Sequence, residues 1–466
     1  MGEGNRSAAV RPWAPWYGLC VLVLLYFTSM IDRTIIAMLI GPIKADLGLG
    51  DFQASLLMGT AFGVCYVLFA LPFGWAADRF SKPHVIAFGI LFWSIACAGG
   101  GFASSFAGLF VSRMLVGAGE AALSPCAYSM MAGWFPRARL SLAMAIYHYG
   151  GSVGGALALV IGGAIAHLAE DGGGLGLAWL DGFRPWQVAF LIVGLPGIAL
   201  ALLALTLHEP GTTATAGSRM ATAPAPRLRP FLAAHPRLTL AHLTAFSLTL
   251  LVVYGVSFWA PQLFIREQGW SALETGSVLG GVNMAGTLAG QVAGVTLISW
   301  LDRRGHADAA LRAFAYALGF GLASTILAFA TSSPVALLTG YFLLSACLHP
   351  VMTYGSSALQ LFTPAALRGR MSALFLSVTS LMGLGAGPAC VGFLTQYAFS
   401  GTGALRHALF AVSMIALWAA LALVLIALAP YRRALHDRQR EAEGDIPPDH
   451  VRPPVPEGAA VRAGYA

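Results

Sequence analysis

Long apolar runs separated by short polar segments dominate the chain. An apolar run of about 18 residues or more is long enough to cross a bilayer as a helix. The chain has twelve such runs, at about residues 16–40, 53–76, 83–103, 106–135, 140–169, 185–207, 239–267, 272–300, 309–330, 334–362, 371–398 and 404–429. A β-barrel would show short segments of alternating polarity instead. The pattern therefore predicts an all-α membrane protein with twelve transmembrane helices.

One polar segment is long enough to divide the chain. Residues 208–238 are rich in Ala, Thr and Pro and lack apolar periodicity, which predicts a linker. It separates a six-helix bundle at residues 16–207 from a second one at residues 239–430. Residues 1–15 and 431–466 form the two tails. We expect the second tail to begin as a charged helix and to become disordered in its Pro-, Gly- and Ala-rich remainder.

The distribution of basic residues predicts the orientation in the membrane. If both termini lie on one side, the termini and even-numbered loops hold 21 of the 27 Lys and Arg residues, and the odd-numbered loops hold 4. Basic residues accumulate on the cytoplasmic side, so we predict that both termini and the linker are cytoplasmic. The net charge of +7 then reflects topology and does not indicate nucleic-acid binding. We predict a multi-pass, monomeric protein of the bacterial inner membrane, whose first run is a spanning helix and not a cleaved signal peptide.

The two halves of the chain repeat each other at an offset near 230 residues. Gly-Trp-Ala-Ala-Asp-Arg follows the second run, and Ser-Trp-Leu-Asp-Arg-Arg-Gly follows the eighth. A Phe-Pro or Phe-Thr-Pro segment with two arginines precedes the fifth and the eleventh runs. Charged pairs at such helix ends can fasten one conformation and release in another. This predicts a conformational latch formed by Asp78, Arg79, Arg137, Arg139, Asp302 and Arg303; the alternative is an ordinary solvated loop with cytoplasmic arginines.

Two pairs of charged residues lie inside apolar runs. Asp32 and Arg33 are adjacent in the first run, and Arg113 and Glu120 lie on one face of the fourth, about 10 Å apart along a helix. Each charge costs roughly 3 kcal/mol to insert into hydrocarbon. Such residues usually face a bundle interior or a water-filled path. We therefore place the functional centre at these four residues.

The motifs together resemble the major facilitator superfamily. The segment from Gly74 to Lys82 is similar to its loop signature Gly-x-x-x-Asp-Arg-x-x-Arg/Lys, although Phe80-Ser81 replaces the usual residue and Gly. The segments around Asp32-Arg33 and from Arg113 to Glu120 resemble the Spinster-like branch. The resemblance implies transport by alternating access about a site near the bilayer midplane. It also implies lipid-like cargo, because eukaryotic members of that branch export sphingosine phosphate or lysophospholipids.

The four buried charges suggest roles in coupled transport. Glu120 is the first candidate for the proton carrier and Asp32 the second, because a buried carboxylate changes its proton affinity when its partner changes. His148 in the fifth run is a further candidate for proton transfer, although a lone His there also fits a structural role. Arg33 and Arg113 are candidate anchors for an anion, since the guanidinium donates two parallel hydrogen bonds. The alternative is a closed, neutral ion-pair network that only holds the first and fourth helices together.

The second half offers a neutral set of candidates. The predicted substrate contacts there are Asn283, Trp259, Tyr354 and His349; Tyr147, in the fifth run of the first half, is a further one. The asymmetry predicts that the N-terminal half handles charge while the C-terminal half accepts an apolar or neutral part of the substrate. Plain helix packing is the alternative for the aromatic residues.

These observations predict a proton-coupled secondary active transporter of an amphipathic or lipid-like organic anion. One alternative is a proton-coupled importer of a small carboxylate or sugar acid, and another is a membrane sensor built on a transporter fold. The sequence shows no phosphate-binding loop, no metal-ligand spacing among its six cysteines and no nucleophile–base pair. We therefore expect no cofactor or metal, no enzymatic activity, and an ion gradient as the energy source.

Overall fold

The computed structural model describes residues 13–170, 182–209, 228–364 and 367–442, apart from a few side chains that include that of Arg137. Twelve of its helices are long and apolar enough to cross a membrane, which confirms the prediction. We label them α1 (Ala14–Leu47), α2 (Asp51–Arg79), α3 (Lys82–Gly100), α4 (Phe106–Trp134), α5 (Leu142–His167), α6 (Pro185–Ala204), α7 (Pro236–Gln268), α8 (Ala272–Arg303), α9 (Ala309–Phe329), α10 (Pro334–Phe362), α11 (Arg368–Ala398) and α12 (Ala404–Arg438). The described residues contain no strand.

Several helices extend beyond their apolar runs. The helix that contains α5 runs from Arg137 to Glu170, and the one that contains α12 continues to Ala442 as the predicted charged helix. A short helix at Leu228–Ala234 occupies part of the predicted linker, and α7 begins at Pro236, where proline suits the first helical turn. The remainder of the linker, residues 210–227, and the tail after residue 442 lie outside the described residues.

Proline interrupts α4 in the first half and α10 in the second half at corresponding places. In α4 the regular helix stops at Glu120 and resumes at Leu123, because Pro125 has no N–H to donate to the carbonyl four residues earlier. In α10 it stops at Leu348 and resumes at Val351, around Pro350. The interruptions lie about 230 residues apart, at the offset of the sequence repeat. They place Glu120 and His349 at breaks in membrane-spanning helices.

The two halves meet near one end of the molecule. We call the end with the connections at residues 80–81 and 304–308 the linker end, and the end with the connections at 48–50 and 269–271 the loop end. Near the loop end, Gly163 of α5 packs on Gly276 of α8, and Gly41 of α1 lies beside Gln262 of α7. The hydrogen bonds and ion pairs identified between the two halves lie at or towards the loop end: Thr60 with Gly385, Phe52 with Gln396, and Asp51 with Arg266. The molecule is thus fastened at its loop end.

Wide helical turns mark the contact between α2 and α11. Leu56–Thr60 in α2 and Leu381–Ala386 in α11 are π-helical, and the Thr60 hydroxyl donates to the Gly385 carbonyl at 2.6 Å across the interface. A side chain on Gly59 would overlap the backbone of Leu384, so glycine permits this close approach. Single π-turns inside helices are frequent at functional sites. The two halves therefore touch where both helices are irregular.

Candidate functional site

Two ion pairs connect α1 to α4. Arg33 Nη2 lies 2.7 Å from Glu120 Oε2, and Arg113 Nη1 lies 3.3 Å from Asp32 Oδ1. Neighbouring residues of α1 therefore pair with different turns of α4, since successive side chains on a helix point about 100° apart. The four charged residues predicted from the sequence thus lie together at one site, and each ion pair joins one residue of α1 to one residue of α4.

The Asp32–Arg113 pair is enclosed by protein. Arg113 is fully buried and Asp32 is 1% exposed. Arg113 Nη1 also donates to the Asp32 carbonyl at 3.4 Å, and the thiol of Cys97 donates to Asp32 Oδ1 at 3.2 Å. The Arg113 guanidinium lies over the ring of Phe62 at 5.7 Å. This pair fixes α1, α3 and α4 relative to one another.

The Arg33–Glu120 pair lies closer to open space. The Arg33 side chain is 13% exposed, whereas that of Glu120 is inaccessible. The Ser29 hydroxyl, one turn before Arg33 on α1, donates to the same carboxylate oxygen at 2.7 Å. The Arg33 guanidinium lies over the rings of Phe62 and Tyr66, at 4.5 and 5.1 Å from their centres, an arrangement that favours a cation. Arg33 is thus the more accessible of the two cations in the site.

The network has unused hydrogen-bonding capacity. Among the described residues, no partner is found for Glu120 Oε1, Arg33 Nε, Arg113 Nε or Arg113 Nη2, although each atom is buried. Buried polar atoms are normally paired. The free acceptor, Glu120 Oε1, can therefore take up a proton or accept a hydrogen bond from water, and the three free N–H donors can bind a water molecule or an anion.

A group of tyrosine side chains lies around Arg33, beginning with its neighbours Tyr26 and Tyr66. Tyr147 stacks on Tyr26 with ring centres 4.5 Å apart, and the Tyr128 hydroxyl lies 3.5 Å from His148 Nε2. Tyr254 of α7 lies near Arg33 from the other half of the molecule. The predicted Tyr147 and His148 therefore belong to one aromatic group. Its hydroxyls can donate or accept hydrogen bonds beside the accessible cation.

The remaining candidates in the second half are more dispersed. Trp259 is fully buried, and its Nε1 donates to the Pro388 carbonyl at 3.1 Å. Tyr354 lines a groove between α8, α9 and α10. His349 Nδ1 donates to the Ser345 carbonyl at 2.9 Å. The buried Oδ1 of Asn283 has no partner among the described residues. No described contact joins Trp259, Tyr354 or His349 to the charged network, so their role as substrate contacts remains a prediction.

The residues predicted to form a latch lie at the linker end. Asp78, Arg79, Arg139, Asp302 and Arg303 are exposed, and no described ion pair contains them. Arg79 stacks on Trp75 at 4.6 Å, and Arg304 stacks on Trp300 at 4.0 Å in the repeated motif. The side chain of Arg137 lies outside the described part. The role of these residues as a conformational latch stays a prediction.

An unpredicted contact fastens the loop end. Asp51 of α2 accepts hydrogen bonds from Arg266 of α7 at 2.9 and 3.1 Å, and it also pairs with Lys44. The backbone N–H of Phe52 donates to Gln396 Oε1 of α11 at 2.8 Å. The Asp51–Arg266 contact is bidentate and links the two halves, which makes it suited to hold this end closed.

We expect Asp51→Asn to open the loop end more often. Loss of the charge-assisted bonds should shift the balance about fivefold towards the open state. The measurement is the rate at which a cysteine at Gln262, buried between the halves, reacts with a maleimide. Asp46→Asn is the control, because its partner Arg184 lies in the same half, 2.6 Å away. Equal labelling of both variants would contradict this role.

Sequence reasoning missed several neighbours of the site. Ser29 and Cys97 contact the two carboxylates, and Phe62 lies under both guanidinium groups. Ser29 could have been found, because it lies four residues before Arg33 and therefore on the same helix face. The helix contacts that bring Cys97 and Phe62 to the site have no local sequence signal.

Comparison with known proteins places the chain in a family. The family model described as Major Facilitator Superfamily matches residues 22–384. Protein spinster of Drosophila melanogaster is 29% identical over 195 residues, which cover 42% of this chain and 30% of the relative. The probable galactarate/D-glucarate transporter GudP of Bacillus subtilis is 30% identical over 213 residues, which cover 44% of this chain and 42% of the relative. The matched region thus spans less than half the length of either relative.

A solved structure extends the likeness to nearly the whole chain. It is a bacterial homolog of the human lysosomal transporter Spinster, in an inward-facing and occupied conformation. It superposes with a TM-score of 0.73 at 25% identity, covering 92% of this chain and 98% of the other. The family model, the twelve helices and this superposition lead to one conclusion: the chain belongs to the major facilitator superfamily and resembles the Spinster proteins within it.

Proposed function

We propose that this protein is a secondary active transporter that carries an organic anion by alternating access and couples its movement to protons. The observation that supports the proposal most strongly is the Arg33–Glu120 pair, in which an accessible cation is bound to a buried carboxylate with one unpaired oxygen. An anion that binds Arg33 competes directly with Glu120 for the same guanidinium. Substrate and carboxylate therefore share one partner.

This competition supplies the coupling. When an anion takes Arg33, Glu120 keeps only the Ser29 hydroxyl as a described partner. An ionised carboxylate without a cation is costly in a buried site, so the carboxylate takes up a proton. Release of the anion returns Arg33 to Glu120 and expels the proton. Asp32, paired with Arg113, is the second proton site and mainly orients α1 against α4.

The closed loop end supports alternating access. The Asp51–Arg266 contact holds that end, and the other hydrogen bonds identified between the halves, Thr60 with Gly385 and Phe52 with Gln396, also lie at or towards it. We propose that the linker side, with both termini, faces the cytoplasm of a bacterial inner membrane; the excess of basic residues on that side supports this orientation. The structure is then inward-facing, and the cytoplasmic latch would form when the loop end opens. We propose that the monomer is the transporting unit.

The proposed cargo is an amphipathic, lipid-like anion of the lysophospholipid or sphingoid-phosphate type. The likeness to Spinster proteins supports it, as do the aromatic rings against Arg33, the more exposed cation of the site. A sugar acid is the second candidate, since GudP is a probable galactarate/D-glucarate transporter of similar identity. A lipid needs a path that opens to the bilayer, whereas a sugar acid needs further polar contacts around its hydroxyls.

The experiment is thermal stabilisation of the purified protein by lysophosphatidylglycerol, sphingosine phosphate, galacturonate and glucarate at about pH 5.5 and 7.5. We expect a lipid phosphate to stabilise most, and more strongly at the lower pH, because binding is accompanied by proton uptake. Preference for galacturonate or glucarate would replace the lipid assignment by the sugar-acid one. Failure of all four anions to stabilise the protein would contradict an anion transporter of either kind.

Arg33→Ala should weaken binding of the stabilising anion about 10- to 100-fold, because one charge-assisted contact is lost. The measurement is the anion concentration that gives half of the maximal thermal shift. Arg184→Gln is the control, since this arginine belongs to an exposed pair at the loop end. An unchanged concentration in Arg33→Ala would show that the anion binds elsewhere.

A further inference from the structure

A cavity lies on the side of the C-terminal half, away from the charged network. It encloses about 920 Å³ between α8, α9 and α10. Its lining is almost entirely apolar and includes Leu288, Val292, Ala293, Tyr316 and Phe320. Val292 is 68% exposed and Phe320 is 69% exposed, so the groove opens outward at the surface that faces the bilayer. None of the residues that line it belongs to the charged network around Arg33.

One end of the groove is charged and aromatic. Arg303, the last residue of α8, lines this end together with Trp300 and Tyr316. Trp300 and Tyr316 are 40% and 46% exposed. Tryptophan and tyrosine favour the level of the lipid headgroups. From the linker end inward, the groove thus presents a cation, then aromatic side chains, then an apolar slot. A phospholipid has its phosphate, its interfacial region and its acyl chains in the same order.

The length of the groove matches one leaflet. Leu288 and Arg303 are fifteen residues apart on a continuous helix, which corresponds to about 22 Å. Half of a bilayer's hydrocarbon core is about 15 Å thick, and the headgroup region adds several ångströms. A lipid whose phosphate lies at Arg303 would therefore end its acyl chain near Leu288, at the membrane midplane.

The charges around the rim favour an anion. Arg303 is exposed and belongs to no ion pair among the described residues. The neighbouring Arg304 stacks on Trp300 at 4.0 Å. On α9, Arg312 pairs with the buried Asp308, which also pairs with Arg432. The one exposed carboxylate close by in sequence is Asp302, which does not line the groove. Arg303 is therefore available to a phosphate.

We propose that this groove binds an anionic glycerophospholipid from the leaflet at the linker end, with its phosphate on Arg303 and one acyl chain between α8 and α9. Basic pockets between membrane helices bind anionic headgroups in this manner. The bound lipid would rest against the side of α8 that faces away from α5. This lipid would stay bound to the C-terminal half, and its binding would not depend on the transported anion, which binds at Arg33.

Native mass spectrometry of the purified chain, incubated with equal amounts of phosphatidylglycerol and phosphatidylcholine of identical chains, tests the proposal. We expect the wild type to retain phosphatidylglycerol about fivefold more than phosphatidylcholine, which is the contribution of one basic residue near the headgroup. Arg303→Gln should remove this preference. Ala293→Phe, which fills the exposed slot, should lower the retention of both lipids.

Two variants separate lipid binding from the predicted latch. Asp302→Asn disturbs the latch motif, and Arg304→Gln removes an adjacent cation outside the groove; both should keep the preference for phosphatidylglycerol. Retention of the preference in Arg303→Gln, or unchanged binding in Ala293→Phe, would overturn the proposal. Displacement of the lipid by glycerol 3-phosphate alone would also overturn it, since it would show that the acyl chain contributes nothing.

Discussion

Glu120→Gln should abolish uphill transport of the anion and leave counterflow exchange intact. Glutamine keeps the size of the side chain and can still accept a hydrogen bond from Arg33, but it cannot carry a proton. Exchange of one anion for another requires the change between the two conformations but no net movement of protons. Exchange should therefore continue within about twofold of the wild-type rate. The measurement is accumulation in proteoliposomes under a pH gradient, beside exchange without one.

Glu267→Gln is the matched control. Glu267 forms an ion pair with Arg406 at 3.4 Å within the C-terminal half, so it has a charge and a partner but no place in the proposed coupling. This variant should accumulate the anion normally. Loss of both accumulation and exchange in Glu120→Gln, with normal folding, would mean that Glu120 is needed for the conformational change itself.

Arg113→Ala should destabilise the protein more than any other single change in the site. Arg113 is fully buried, and its removal leaves Asp32 enclosed without its cation. Breaking a buried pair from one side costs about 3–5 kcal/mol. The loss should shrink as the pH falls, because Asp32 then takes a proton and loses its charge. Thermal unfolding in detergent across a range of pH measures both effects.

Comparison with two further variants makes this prediction specific. Arg33→Ala should lose less stability, because its side chain is 13% exposed and water can reach the site. Arg113→Ala combined with Asp32→Ala should recover part of the lost stability, since neither charge then remains buried. Equal destabilisation by Arg33→Ala and Arg113→Ala would argue that all four residues form one structural network.

The fold could be predicted from sequence because its causes are local. Apolar runs of membrane length give the twelve helices, and the repeated motifs around Asp78 and Asp302 give the two halves. The four charged residues of the site could also be predicted, since charge inside an apolar run is rare and conspicuous. Composition and periodicity are sufficient for these features.

The pairing within the site depends on packing and could not be predicted. Asp32 and Arg33 are adjacent in sequence, yet they face different turns of α4, and the rotation of two packed helices decides which partner each meets. The greater enclosure of Arg113 compared with Arg33 has the same origin. The Asp51–Arg266 contact joins residues 215 positions apart and has no local signal. Sequence reasoning therefore identified the charged groups but not their partners.

The most direct test of the account is to count the protons taken up when the anion binds. Calorimetric titration of the purified protein with the stabilising anion, repeated in buffers of different ionisation enthalpy, gives this number. The account predicts uptake of about one proton per anion bound by the wild type and none by Glu120→Gln, because Glu120 gains a proton as it gives up Arg33. Anion binding without proton uptake by the wild type would contradict the proposed competition for Arg33.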